Sequence, residues 1–389
     1  MLKNNANHIS RPLLKPLSFN SQVNVAAPGR INLIGEHTDY NHGYVLPTAI
    51  DRKINFSFQR NNSQSICNVY SKTVQKGFSF DLKDIEKSNE IWENYILGVV
   101  NEILKRKKDL QGFDCIIESK LPIGAGISSS AALECGLAAG LNELFNLKLT
   151  KKEIVFLSQA AENNFVGSNC GIMDQFASVM SRKDHLILLD CLNLEPEFIP
   201  ANFNSCKMVL VNTMVSHSLA EGEYNTRRKE CEAALKVLQS HYTGIETLRD
   251  VNLEMLTESS EHLTGAQFHR VKYVLEENKR VLDAAKFLKA GQLEDFGALM
   301  YKSHYGLRDL YEVSCKELDF LVEFTENISY IYGSRMMGGG FGGCTINIVE
   351  ESQIPSFENE VKQAYAEAFG LDPDVIIVSP GEGTVVERV

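Results

Sequence analysis

The chain has 389 residues, 44% of them hydrophobic and 23% charged, the composition of an ordinary globular protein. Single cores stop growing at roughly 250–300 residues, so this length predicts two domains with room for a cleft between them. A formal net charge of −11 argues against a nucleic-acid partner, because phosphate backbones are held by basic surfaces. An anionic ligand would instead need oriented backbone N–H groups or a metal ion. The opening MLKNNANHISRPLL lacks a long apolar stretch and a small-residue cleavage site, so no signal peptide is expected. No segment reaches the ~18 uninterrupted apolar residues of a membrane helix, and no membrane partner is expected. Nine cysteines without a Cys-x-x-Cys pair predict reduced, mostly buried thiols in a cytoplasmic protein rather than a disulfide framework or structural zinc.

In chain order, residues 22–27 (QVNVAA) alternate in polarity like a half-buried strand that stops at Pro28-Gly29. Short β-like runs follow at 54–59, 65–70 and 113–118. Residues 129–145 have helical apolar spacing, and Thr150 opens Thr-x-x-Glu, a capping box that predicts a helix to about residue 164. Strands are expected at 185–190 and 208–212, flanking a polar connection, PEFIPANFNS. The domain boundary is placed there, giving residues 1–205 and 206–389. The second half reads as helical at 221–239, 266–290, 293–304 and 315–327. A Gly-rich loop, a strand at 345–350, a helix at 356–369 and a strand at 375–378 complete it. Without repeats or heptads, the pattern is α+β with mixed or antiparallel sheets rather than a βαβ series.

Two glycine clusters stand out. In PIGAGISSSAA (122–132), Gly124 and Gly126 let the backbone approach a ligand. Ser128, Ser129 and Ser130 then place hydroxyls at the positive end of a new helix. This makes either an anion site or a plain turn with serine caps, and it is not a Walker loop, since no Gly-Lys-Ser/Thr follows. GGGFGG (338–343) has Gly-x-Gly-x-x-Gly spacing, but a helix is expected before it and a strand after it, which excludes a dinucleotide site. The loop is pressed against a ligand or another backbone, or is a flexible connection.

Polar residues crowd between Arg30 and Asn41. Glu36 and Asp39 can accept hydrogen bonds from hydroxyls, and Arg30 can stabilise developing negative charge. His37-x-Asp39-x-x-His42 also has a spacing that admits a metal, disfavoured because a phosphate-linked Mg²⁺ prefers oxygen ligands. Asn41, His42 and Gly43 read as a solvated loop. Glu162 sits at the end of the capped helix. Asp174 lies among Ile172, Met173 and Phe176, so it is either buried and paired or a catalytic base. Tyr224 reads as an interfacial tyrosine at a helix start, and Arg227 and Arg228 as a solvated basic face.

Together these segments resemble the GHMP kinase superfamily and, within it, the galactokinases. GRINLIGEHTDYNHGYVLP (29–47) is similar to their sugar-binding motif, PIGAGISSSAALE (122–134) to the phosphate loop, CGIMDQF (170–176) to the catalytic segment, and SRMMGGGFGGCTINIV (334–349) to the third motif. The resemblance runs from about residue 23 to the end of the sequence. It implies a two-domain GHMP kinase fold, with an N-terminal domain like ribosomal S5 domain 2, a ferredoxin-like C-terminal domain, and the active site in the cleft between them. It implies transfer of the ATP γ-phosphate to the C1 hydroxyl of galactose, in galactose metabolism, by a protein expected to be a monomer. Asp174 would be the base and Arg30 the stabiliser of the transition state. Glu36, His37, Thr38, Asp39 and Tyr224 would bind the sugar. Gly124, Ala125, Gly126, Ile127, Ser128, Ser129 and Ser130 would wrap the phosphates, with Ser71 and Trp92 on the adenine side. Ser130 and Glu162 would hold Mg²⁺. Met337 and His42 depart from the family pattern, which usually has threonine at the first position and an acidic or amide residue at the second. The rival readings are an N-acetylgalactosamine or other GHMP sugar kinase, and a non-catalytic galactose and ATP sensor. The sensor is disfavoured because the Ser130-Ala131 pair, Asp174 and Arg30 are all present.

Overall fold

The computed structural model describes residues 11–12, 19–106, 109–122, 124–216 and 220–389. The opening segment read for a leader, Ile123 of the first glycine cluster, and Ser218-Leu219 ahead of Tyr224 lie outside the described residues. The strands are β1 (Arg11–Pro12), β2 (Val23–Asn32), β3 (Tyr44–Val45), β4 (Pro47–Arg60), β5 (Ile66–Ser71), β6 (Lys76–Asp81), β7 (Phe113–Ser119), β8 (His185–Asp190) and β9 (Glu195–Pro200) in the first half. The second half holds β10 (Cys206–Ser216), β11 (Ile331–Met336), β12 (Gly342–Glu350), β13 (Asp374–Val378) and β14 (Val385–Arg388). Helices α1 (Ile91–Lys105), α2 (Ser129–Phe145), α3 (Lys151–Ala161) and α4 (Met173–Met180) follow the first sheet. The others are α5 (Ala220–His241), α6 (Leu253–Glu258), α7 (Gly265–Ala290), α8 (Leu293–Gly306), α9 (Lys316–Thr325) and α10 (Ile354–Phe369).

Three sheets result: β1-β6-β5-β7-β4-β2-β14, β11-β12-β10-β13 and β3-β8-β9. The first is mixed, since β5 pairs parallel to β7 and its other pairs are antiparallel. In the second sheet the strands run antiparallel, and their spatial order in chain sequence is the 4-1-3-2 of a ferredoxin-like unit, with α10 crossing from β12 to β13. Strand alternation buries both faces of this sheet. Met208 and Leu210 of β10 join the core shared with the first sheet, whereas Val209 and Val211 pack with Phe357 and Val361 of α10.

Most elements lie where the apolar pattern puts them; the exceptions have local causes. The strand from residue 23 does not stop at Pro28-Gly29: β2 runs to Asn32, because a register shift against β4 between Pro28 and Arg30 absorbs the break as a bulge. The polar connection after β8 contains a further strand, β9, whose two prolines are tolerated at the edge of a three-stranded sheet. A strand, β11, and not a helix precedes GGGFGG; the exclusion of a dinucleotide site stands, because a strand also follows. Strand β6 and helix α1 had not been read from the sequence. Strand β14, from the second segment, completes the first sheet beside β2.

Helix α2 carries the phosphate-loop candidate and is wedged against the first sheet. A Cβ at Gly136 would come within 2.2 Å of the Phe56 ring, and one at Gly140 within 2.1 Å of the Phe58 ring. Those two rings are fully buried and stacked, so neither can retreat. Gly140→Ala gains about 1 kcal/mol of helix propensity but meets about 1–3 kcal/mol of overpacking, and here the clash is at the severe end. We expect a net loss of about 1–2 kcal/mol in urea unfolding. Unchanged or raised stability would show that the helix can lift from the sheet.

Candidate active site

The bulge in β2 is the kind of feature that re-aims a side chain, and it precedes Arg30. Arg30 is buried, and its guanidinium meets Asp174 in a bidentate pair: Nε donates to Oδ1 at 2.7 Å and Nη2 to Oδ2 at 3.0 Å. Nη1 donates to the Gly126 carbonyl at 2.7 Å. Ser128, whose φ is 56°, donates its hydroxyl to Asp174 Oδ2 as well. Burial opposes the charge on Arg30, but Asp174, Glu36 and Asp39 outweigh it and hold its pKa above the usual value. Asp174 sits in the first turn of α4, so one pair ties the strand, the glycine loop and this helix together.

Two cavities meet at that pair. The larger, about 590 Å³, is lined by Gly124, Ala125, Gly126, Ile127, Ser128, Ser129 and Ser130, together with Ser71 and Trp92. Positive φ values at Gly124 and Gly126, 75° and 66°, meet the expectation of a loop only glycine follows easily. The smaller cavity, about 220 Å³, is lined by Glu36, His37, Asp39, Glu162 and Tyr224. Arg30, Asp174 and Gly339 border both. Thr38 lines neither: its hydroxyl is turned inward, 2.8 Å from the Gly35 carbonyl and 2.7 Å from that of Tyr44, so it braces the turn instead of facing a ligand.

The acceptors of the smaller cavity are held from behind. Glu36 Oε1 takes the Gly338 N–H at 2.8 Å and Arg335 Nη1 at 3.3 Å. His37 Nε2 lies 3.1 Å from the Gly339 carbonyl, which can only accept, so this nitrogen carries the proton and Nδ1 accepts from the Tyr40 hydroxyl at 2.7 Å. Burial first, against the opposing Gly339 bond, then Arg227 and Arg335, pulls the His37 pKa down to about 3 and keeps the ring neutral. With both nitrogens engaged in this way, His37 does not serve the metal spacing seen in the sequence. Burial and the nearby Asp174 charge push Asp39 up to about 6, despite N–H bonds from Tyr40 and Met173. The second glycine cluster is pinned on both sides: Phe341 N–H donates to the Val313 carbonyl at 2.8 Å, while Gly338 and Gly339 bond the Glu36 and His37 side chains. Asn41 is buried and donates to His37 O, and Arg227 is buried and donates to Tyr311 and Glu312 carbonyls, so neither is solvated. The long polar turn and a neighbouring helix bury these groups by supplying carbonyl partners. His42 is exposed and Met337 is packed into the core.

Near Asp174 lie two more carboxyls, Glu162 on the smaller cavity and the fully buried Glu134 behind it. Helix α3 passes into a π-helical turn, Glu162–Val166, that begins with Glu162. Gln175 Nε2 bridges Glu162 Oε2 at 2.7 Å and Glu134 Oε2 at 3.4 Å. Burial and Asp174 push Glu162 up to about 7, and burial and Glu162 push Glu134 well above the usual carboxylate range. An oxygen-rich, charge-starved place of this kind suits a hard divalent cation that takes part of its shell from phosphate. Among the described residues no group of three His, Cys, Asp or Glu side chains is placed to hold a metal ion by itself. Sequence reasoning missed Glu134, Gln175 and Arg335; each lay inside a quoted motif but carried no spacing signal of its own.

Three family models match the chain. The model of the galactokinase galactose-binding signature matches residues 18–60, the GHMP kinases N terminal domain matches 94–182, and the GHMP kinases C terminal matches 284–367. The galactokinase of Thermosipho africanus is 44% identical over 361 residues, 93% of this chain and 99% of that one. The chain belongs to the galactokinase family. Its likeness to the galactokinase of Roseiflexus sp. is 42% over 368 residues, covering 94% of each. The Lactococcus lactis galactokinase structure, complexed with galactose, superposes with a TM-score of 0.89 at 34% identity over 94% of this chain and 95% of that one. The mevalonate kinase of Methanococcus jannaschii, at 20% identity and a TM-score of 0.65, shares the fold.

For this family member the Asp39 shift gives a pH signature with a definite sign. A carboxyl near 6 when folded and about 3.9 when unfolded binds more protons in the native state between those values. Stability therefore falls as pH rises from about 4 to about 6, by on the order of 2–3 kcal/mol. Urea unfolding over that range should show a shallower slope in Asp39→Asn, the remainder coming from the similarly raised Glu162. An unchanged slope would mean that Asp39 is ionised throughout.

Proposed function

We propose that the protein transfers the γ-phosphate of ATP to the C1 hydroxyl of galactose, giving galactose 1-phosphate and ADP. The observation that carries this reading is the Arg30–Asp174 pair on the border of a glycine-walled cavity and a cavity of hydrogen-bond acceptors. The larger cavity takes the nucleotide, with the adenine side toward Ser71 and Trp92 and the phosphates along Gly124 to Ser130. The smaller takes the sugar, contacted by Glu36, His37, Asp39 and Tyr224. Phosphoryl transfer proceeds through a loose transition state, so catalysis rests on alignment and charge neutralisation. Asp174 accepts the C1 hydroxyl proton as the oxygen takes the phosphoryl group, and Arg30 stabilises the charge developing there. Ser130 and Glu162 are the residues that would hold Mg²⁺. When bound, the ion supplies charge neutralisation on the nucleotide phosphates. Acceptors held from behind leave buried partners unpaired when an epimer binds, which supplies discrimination against glucose. Residues 1–205 and 206–389 are proposed as the two domains, with β14 crossing back to pair with β2. A cytoplasmic setting fits nine free, mostly buried thiols.

The direct test incubates the protein with Mg·ATP and galactose, glucose, N-acetylgalactosamine or galacturonate, follows ADP release, and locates the new phosphate by ³¹P and ¹H NMR. Galactose 1-phosphate should dominate. A different preferred sugar would move the specificity, and galactose binding without turnover would favour a sensor.

A further inference from the structure

Arg335 has no part in the chemistry described above, yet it is an unusual residue for its place. It comes from β11, is fully buried, and makes its ion pair with Glu36, Nη1 to Oε1 at 3.3 Å. Nη1 also donates to the Asn32 carbonyl at 3.0 Å, two residues along β2 from Arg30. Among the described residues, Nε and Nη2 are buried without a hydrogen-bond partner. A guanidinium stays charged at any pH the protein meets, and sealing one in a core with unpaired N–H groups costs more than an apolar side chain of similar size. Packing alone does not account for it.

Its partner explains the arrangement. Glu36 is tethered through one oxygen only: Oε1 accepts from both Arg335 and the Gly338 N–H. Oε2 has no protein partner among the described residues, and the side chain lines the smaller cavity. A carboxylate with one oxygen clamped presents its other lone pairs in one direction, whereas a free one would rotate about its last torsion. Arg335 itself borders neither cavity.

We propose that Arg335 is a positioning residue for sugar recognition: it clamps Glu36 so that the free oxygen meets one hydroxyl of galactose, and so sets both affinity and epimer choice. The proposal rests on Glu36 being a sugar contact. Because Arg335 is away from the nucleotide cavity, its loss should separate the two substrates. We expect Arg335→Gln to raise the galactose KM roughly 10–100-fold and to cut the galactose-over-glucose ratio of kcat/KM about tenfold or more. The KM for ATP should stay within about twofold, since uniform damage would move both. Arg335→Lys keeps the charge but not the planar fork and should fall between. In a double-mutant cycle, Arg335→Gln combined with Glu36→Gln should be no worse than Glu36→Gln alone. If Arg335→Gln fails to fold, the Lys variant carries the test through the same KM split and selectivity ratio. The proposal is overturned if a folded Arg335 variant keeps its galactose KM and selectivity while Glu36→Gln loses them, or if both substrates' KM values rise together. A Glu36→Gln variant with normal galactose KM would remove the underlying assignment of Glu36 instead, and the proposal with it.

Discussion

One ion pair organises the cleft. Arg30 and Asp174 lie 144 residues apart in sequence and meet in two hydrogen bonds, with a third from Arg30 to the Gly126 carbonyl. A buried pair is weak evidence of stability, since its desolvation cost rivals its attraction, while removing one partner leaves the other stranded. The pair nevertheless closes a triangle between the bulged strand, the glycine loop and the first turn of α4. The loop's Ser128 reaches Asp174 from one side, and from another the Asp174 charge, with burial, pushes the Glu162 carboxyl toward its neutral form.

The scaffold makes this arrangement possible by burying polar groups in pairs rather than exposing them. Behind the smaller cavity runs a chain of contacts from Gly339 through His37 and Tyr40 to Tyr311, whose hydroxyl lies 3.1 Å from Cys231. The orientation of each member follows from the one before, because the Gly339 carbonyl can only accept. A neutral histidine held this way is a fixed part of the wall, with no freedom to titrate near neutral pH. In the larger cavity the walls are glycine backbone, serine hydroxyls and the aromatic edge of α1, so the two cavities differ in chemistry although they share a border.

Much of this was legible in the residues. The apolar period marked α2 at residues 129–145, and the Thr150 capping box marked the start of α3. The dense motif after Pro28 and the apolar neighbours of Asp174 pointed to the chemistry. What escaped notice did so for physical reasons. Prolines disguised β9, because a strand at a sheet edge tolerates them while the sequence pattern reads as a loop. Thr38 looked like a ligand contact until its hydroxyl was found turned to two carbonyls. Asn41 and Arg227 looked solvated because the carbonyls that satisfy them belong to distant or folded-back segments, which no local pattern encodes. Arg335 lay in a recognised motif, but its significance depends on a partner 299 residues away.

The central claim is that the Arg30–Asp174 pair performs the transfer step rather than merely holding the cleft together. Single-turnover phosphoryl transfer in Asp174→Asn tests it most directly, with galactose binding followed separately by calorimetry and folding by urea titration. The substitution keeps the shape and removes the base. The account predicts a transfer rate lower by about 10²–10⁴-fold, with galactose affinity within a few-fold of the parent. A folded variant that transfers phosphate at a near-normal rate would contradict it and leave Asp174 only an orienting role.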